Sequence, residues 1–183
     1  MRIIAGKYRG RRLQSPDDRA IRPSSDRLRE SLFNMLAHRP QHPLVDAQVA
    51  EVFAGSGALG FEALSRGAKA VTFLDTDPAA RRLLAANARL LGATDACRIM
   101  AGDARRPPPA DQAYSLIFMD PPYRQGLAAA ALPALVKQGW VGPATWVVIE
   151  RAAGDASEHI DWPGEQEIRH IGKSELLILH DYR

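Results

Sequence analysis

The chain has 183 residues, 46% hydrophobic and 25% charged, enough for one sizeable core and too few for two. No apolar run approaches the roughly 20 residues of a membrane helix. The basic N-terminus lacks the apolar stretch of a secretory signal, and a single cysteine, Cys97, excludes an internal disulfide framework, so a cytoplasmic protein is expected.

Charge is unevenly placed. Residues 1–40 carry ten Lys/Arg and four Asp/Glu, a net of +6; the remainder carries fourteen and seventeen, a net of −3. This predicts a basic, polyanion-binding extension over residues 1–42 on a near-neutral domain over 43–183. A solvated basic surface is the plainer reading. The density of Lys7, Arg9, Arg11 and Arg12 favours nucleic-acid contact.

In chain order, "RIIAG" and "RGRRL" predict a basic hairpin around Lys7 and Tyr8. Residues 14–23 read as a loop. A helix follows, capped by Ser24 or Ser25, with Asp26 in its first turn. Leu28, Leu32, Met35 and Leu36 form its apolar stripe, Arg27 and Arg29 project elsewhere, and Pro40 and Pro43 end the segment. Strands are predicted over 48–53, 70–75, 97–101, 114–120 and 145–150. Helices are predicted over 58–67, ended by Gly67; over 78–91, capped by Asp77 and stopped by Gly92; and over 126–139, with Pro133 bending it or marking a late start. The alternation predicts an α/β fold with a mostly parallel sheet. "EQEIRHIG" and "SELLILH", flanking Gly172-Lys173, predict an antiparallel hairpin at its C-terminal edge.

"EVFAGSGALG" places Gly55, Gly57 and Gly60 in a G-x-G-x-x-G spacing between a strand and a helix. Free N–H groups at the helix start suit a ligand with a carboxylate, phosphate or ribose. Asp75, ending the next strand, fits a ribose of either a nicotinamide dinucleotide or S-adenosyl-L-methionine. Asp103, after the third strand, either accepts from an adenine amine or caps the following turn.

"LIFMDPPY" brings Asp120, Pro121, Pro122 and Tyr123 to the same sheet edge. Two prolines remove backbone donors and stiffen the turn. The Asp120 carboxylate and the Pro121 carbonyl then offer two acceptors, and Tyr123 a flat ring. That set suits an exocyclic amine on a planar base. Hydrogen bonds from its N–H groups would aim the nitrogen lone pair at a donor methyl and stabilise the positive charge developing there, with the base stacked on Tyr123. A hydride-transfer enzyme would need an acid–base residue at the substrate; the five histidines fall outside the predicted ligand edge, and Tyr123 has no lysine close behind it. An NAD-dependent oxidoreductase is thus the weaker reading, as is a non-catalytic RNA-binding factor. The histidines and Cys97 show no metal-ligand spacing, and no metal is expected.

"FAGSGALG" with "DPPY" resembles the S-adenosylmethionine-dependent amino-methyltransferases. "RIIAGKYRGRRL", "RPSSDRLRESLFNML" and "FAGSGALGFEALSRGA" narrow the resemblance to the bacterial RsmD family, over essentially the whole chain. The resemblance implies a Rossmann-like class I fold with a seven-stranded sheet and methylation of guanine N2 in 16S rRNA of the assembled or assembling small subunit; a monomer is expected. Adenine N6 of DNA or RNA is the alternative acceptor. It implies a cofactor site at Phe53, Gly55, Ser56, Gly57, Asp75, Asp103 and Ala104, catalysis at Asp120 to Tyr123, and RNA contacts at Arg2, Lys7, Arg9, Arg11, Arg12, Arg22 and Arg27, the last two near the active-site mouth. The family more commonly has Glu where Asp75 stands, so a single or water-mediated ribose contact is expected.

Overall fold

Seven strands form one sheet in the computed structural model, which describes residues 1–15, 23–39, 43–155, 157 and 159–183. The elements are α1 (Pro23–Ala37), β1 (Gln48–Val52), α2 (Ala58–Ser65), β2 (Ala70–Asp75), α3 (Pro78–Leu91), β3 (Cys97–Ala101), β4 (Leu116–Met119), α4 (Leu127–Lys137), β5 (Trp146–Ala152), β6 (Glu165–Ile171) and β7 (Ser174–His180). Their order across the sheet is β3-β2-β1-β4-β5-β7-β6. β1 to β5 are parallel, and β7 runs antiparallel between β5 and β6. This is the Rossmann-like, mostly parallel sheet with the C-terminal hairpin that the alternation predicts. The winding reverses between β1 and β4, where open α/β sheets bind ligands.

Successive strand residues face opposite layers. Val49, Phe73, Phe118 and Val148 pack with Phe33 of α1, Phe61 of α2 and Leu84 of α3. Ala50, Ile117, Met119 and Val147 pack with Ala128, Leu132 and Leu135 of α4, and with Trp140. Burial on both faces explains why these strands read as unbroken apolar runs.

Element ends follow local chemistry. Asp77 accepts from the Ala79 N–H at 2.8 Å, Pro78 opens α3, and Gly92 closes it at φ 65. β1 stops at Val52, one residue early, because Phe53 turns left-handed at φ 61. α1 begins at Pro23, so Ser24 and Ser25 fall inside its first turn, where Pro is well placed. Pro133 sits within α4 and removes one ladder bond, yet the helix runs from Leu127 and holds Ala131, Leu132 and Leu135 against the sheet.

The predicted basic hairpin forms and lies as a strap against α2. Arg2 and Arg12 make an antiparallel bridge, flanked by bonds from the Ile3 N–H to the Arg11 carbonyl and from the Leu13 N–H to the Met1 carbonyl, both 2.9 Å. The Ile4 and Ala5 N–H groups do not reach an opposing strand; they donate to the buried Glu62 carboxylate of α2 at 2.8 and 3.0 Å. Ser65 accepts from Lys7 N–H through its carbonyl and from Tyr8 N–H through its hydroxyl. A Cβ on Gly6, at φ +81, would lie 1.8 Å from the Ser65 oxygen, so the close approach requires glycine. Ile3 and Leu13 are buried in the same cluster as the sheet's first face.

Candidate active site

The carboxyl ends of β1, β2, β3 and β4 deliver their loops to a cleft of about 590 Å³, a size typical of small-molecule sites. Phe53 and Gly55 form one wall. Asp75 and Thr76 form the next, Gly102 to Arg105 the third, and Asp120 to Tyr123 with Leu127 the fourth. Two motifs 65 residues apart in sequence, at Gly55 and Asp120, thus meet at the winding reversal. Left-handed Phe53 and Arg124, at φ 61 each, flank the cleft, the first turning β1 into the glycine loop and the second turning the proline segment toward α4.

Each loop is braced from inside. Asp75 accepts from Gly55 N–H at 2.8 Å through one oxygen and from Asp77 N–H at 2.8 Å through the other. Gly55 has open space over it, so a side chain there would project into the cleft. Gly60 is different: a Cβ would lie 2.5 Å from Phe73 and 2.8 Å from Glu51, which makes it the packing glycine between α2 and the sheet. The Arg124 N–H donates to Asp155 at 2.9 Å, tying the proline loop to the loop after β5.

The start of α2 is not the open anion site that the glycine spacing suggests. Buried Glu51 of β1 accepts from Leu59 N–H at 3.2 Å and Gly60 N–H at 2.8 Å. Two donors that a pyrophosphate would need are therefore occupied from beneath. Burial pushes the Glu51 carboxyl up to about 8, against those two hydrogen bonds, and the nearby Asp120 charge adds to it.

Asp120 is exposed to the cleft, with protein packed around its carboxyl. That crowding, and then the charge of Glu150, push its carboxyl up to about 7. No donor among the described residues occupies the Pro121 carbonyl. Tyr123 is 43% exposed, and its hydroxyl donates to Glu150 at 2.8 Å and lies 3.1 Å from the Ser174 hydroxyl. Asp103 is gripped by the Arg105 guanidinium at 2.8 to 3.1 Å and accepts from the Arg105 N–H at 2.9 Å, which holds its carboxyl below the usual range. Of the two roles expected for Asp103, the turn-capping one is visible here.

Phe53, Gly55, Asp75, Asp103, Ala104 and Asp120 to Tyr123 are brought together. Ser56 and Gly57 do not line the cleft. The chain turns down into α2 there: Ser56 presents its carbonyl to Asn87 at 3.1 Å, and a Cβ on Gly57 would strike Leu84 and Phe61 at 2.6 Å. Arg2, Lys7, Arg9, Arg11, Arg12 and Arg27 are all exposed, while Arg22 lies outside the described residues. Lys7 is far from the cleft. It docks at Ser65, where α2 ends, and its charge acts on Cys97 at the start of β3, at the opposite sheet edge. α2 alone is about 12 Å long.

Three residues carry no signal in the sequence, and a fourth, Arg29, sits elsewhere than expected. Glu51 and Glu62 sit in apolar runs, and their function needs partners 8 and 58 residues away. Arg29 does not project outward: it is 3% exposed, pairs with Asp26 at 2.8 Å and donates to the Arg2 carbonyl at 2.9 Å. Asn87 is buried and joins the strap to the glycine loop, bonding both Gln14 and Ser56. Two histidines lie at the ligand edge against expectation. His170, near the end of β6, lies 3.2 Å from Glu175. His159 follows the carboxyl end of β5, on the ligand edge, and lines a small hollow with Arg151, Asp155 and Glu175, apart from the main cleft.

Residues 1–180 match the family model described as conserved hypothetical protein 95. The chain is 40% identical over 154 residues to ribosomal RNA small subunit methyltransferase D of Escherichia coli K12, covering 82% of this chain and 74% of that protein. The same-named protein of Haemophilus influenzae is 36% identical over 155 residues, covering 82% and 78%. The solved structure of Escherichia coli yhhF superposes with a TM-score of 0.82 at 32% identity, covering 100% of this chain and 99% of that one.

Proposed function

The chain belongs to the RsmD family of methyltransferases, and we propose that it methylates the exocyclic N2 of a guanine in 16S rRNA of the small ribosomal subunit, with S-adenosyl-L-methionine as the methyl donor. The observation that carries this is the shared cleft: Asp120 and Tyr123 face the same space as Gly55 and Asp75.

The residues present fit the cofactor. The cleft wall carries Asp75, Asp103 and Asp120 with Arg105 as its basic residue, a balance that favours a cationic ligand over a pyrophosphate. Gly55 leaves room for the ligand against the backbone. Asp75 retains lone pairs for a ribose hydroxyl after bracing Gly55. When bound, the sulfonium supplies an electrophilic methyl group.

The chain's own residues then act on the base. The Asp120 carboxylate and the Pro121 carbonyl accept from the two amine N–H groups, orient the nitrogen and stabilise its developing positive charge. Asp120, held near neutrality by its surroundings, is suited to take the proton released as the new N–C bond forms. Tyr123 offers its exposed ring as a stacking surface.

The strap and Arg27 serve as the RNA contact in this reading. The strap runs from Gln14, docked on Asn87 near the glycine loop, to Lys7 at the end of α2, with Arg11 at the Leu90 carbonyl where α3 ends. A track of that length suits a structured polyanion such as assembled subunit RNA, which positions by phosphate contacts. One chain supplies every residue named, and we take the enzyme to act as a monomer. Incubating the protein with labelled cofactor and unmodified small subunits, then mapping the labelled nucleotide by mass spectrometry, tests the proposal. N2-methylguanine in 16S rRNA supports it; N6-methyladenine replaces it with the other acceptor.

A further inference from the structure

Tyr123 is an exposed aromatic residue on a surface loop, in a segment that carries left-handed Arg124 and Gly126. Such a side chain ordinarily samples several rotamers. Here its hydroxyl is held from outside the loop. Glu150 lies near the end of β5 and accepts at 2.8 Å; Ser174 opens β7 and lies at 3.1 Å. β5 and β7 are paired, with Glu150 opposite Leu176 and Ala152 opposite Ser174. The ring is therefore anchored to the rigid sheet and not to its own turn.

We propose that Glu150 is a positioning residue for the methyl-accepting base: with Ser174 it clamps the Tyr123 hydroxyl and so fixes the ring as a ready stacking plate at the mouth of the cleft. This rests on the methyltransferase reading given above. Pre-setting the plate removes the ordering cost that a free tyrosine would add when the base arrives. Glu150 also acts on Asp120 through space. The groups facing Asp120 are Glu150 from β5, Glu51 from β1 and Tyr123 from its own loop, with Arg29 of α1 facing Glu51. The Glu150 charge adds to burial in keeping the Asp120 carboxyl avid for a proton.

Three variants of the full chain separate the two effects: Tyr123→Phe, Glu150→Gln and Glu150→Ala. Each is assayed on unmodified small subunits from pH 5.5 to 9, with cofactor affinity and thermal unfolding measured alongside. Tyr123→Phe keeps the ring and loses the tether; kcat/KM for the subunit is expected to fall about tenfold, at unchanged cofactor affinity. Glu150→Gln keeps an acceptor oxygen and loses the charge, so activity at high pH is largely retained while the acidic limb of the profile moves to lower pH. Glu150→Ala shows both changes. A loop staple with no part in catalysis predicts altered unfolding and a wild-type pH limb. If Tyr123→Phe and Glu150→Gln both match wild type in kcat/KM and pH limb, the proposal is wrong even should Glu150→Ala fail to fold. Wild-type protein that binds cofactor and labels no subunit overturns the parent reading and this one with it.

Discussion

The Asp75 carboxylate accepts a hydrogen bond from the Gly55 N–H at 2.8 Å, joining the end of β2 to the glycine loop after β1. One acid thus shapes the loop and faces the cleft. Asp75→Ala removes a charge-assisted bond and, in the proposed function, a ribose contact with it. Cofactor affinity is expected to fall about 10- to 100-fold by calorimetry. Asp75→Glu keeps the chemistry with one more methylene and should stay within about threefold of wild type. Equal affinity for Asp75→Ala and wild type would remove Asp75 from the site.

Asp120 lines the cleft wall that the proposed function assigns to the methyl-accepting base. Asp120→Ala should lower kcat at least about 100-fold, the scale of losing one positioned electrostatic group. Cofactor binding should change little, since the Gly55 and Asp75 wall is untouched. A large loss of cofactor affinity would assign Asp120 to the cofactor and not to the base.

Much of this site is legible in the sequence, for a physical reason. Gly55, Asp75 and Asp120 each end or follow a buried strand, and parallel strands bring all such ends to one edge. Asp77 and Gly92 mark α3 because caps are local chemistry. Glu51, Glu62 and Asn87 were not legible. Each is a buried polar residue that takes backbone groups of other elements, and those partners are not announced by its neighbours in sequence; the Arg66 pairing of Glu62 is the one local exception. The hairpin of the strap is legible, but its docking is not: Glu62 and Ser65 of α2 take the backbone groups near its turn. Charge count also hid Ile3, Leu13 and Arg29, which are buried within the basic segment.

Gly6 tests how the strap is held. Alanine there meets the Ser65 oxygen and a left-handed backbone at φ +81. The strain and lost docking should cost at least about 2 kcal/mol, read as a fall in Tm of about 4–8 °C. An unchanged Tm would mean that the strap is not docked in solution as described.

Glu51 and Asp120 give the fold a signed pH dependence. Both carboxyls are raised in the folded state, to about 8 and about 7 from 4.5 and 3.8. The folded protein therefore holds protons that the unfolded chain has released. Their contribution to stability is full below about pH 4 and is lost as pH rises to about 8. Thermal unfolding from pH 5 to 9 should show a declining Tm, with a shallower slope in Asp120→Asn. A Tm that rises over this window in wild type would contradict the raised carboxyls of both groups.

Lys7 and Arg9 lie on the strap far from the cleft, so they should affect binding and not chemistry. Lys7→Glu with Arg9→Glu is expected to raise KM for the subunit, leave kcat near wild type, and flatten the dependence of log K on log salt by about one to two units. A fall in kcat at saturating subunit would place these residues in the reaction itself.

The proposed activity requires one cleft to hold both the methyl donor and a guanine of the small-subunit RNA. The direct measurement is methyl transfer from labelled S-adenosyl-L-methionine to small subunits lacking the modification, with the product nucleotide identified by mass spectrometry. The expected result is near-stoichiometric label as N2-methylguanine in 16S rRNA, abolished in Asp120→Ala. Subunits that stay unlabelled by a protein shown to bind the cofactor would contradict it.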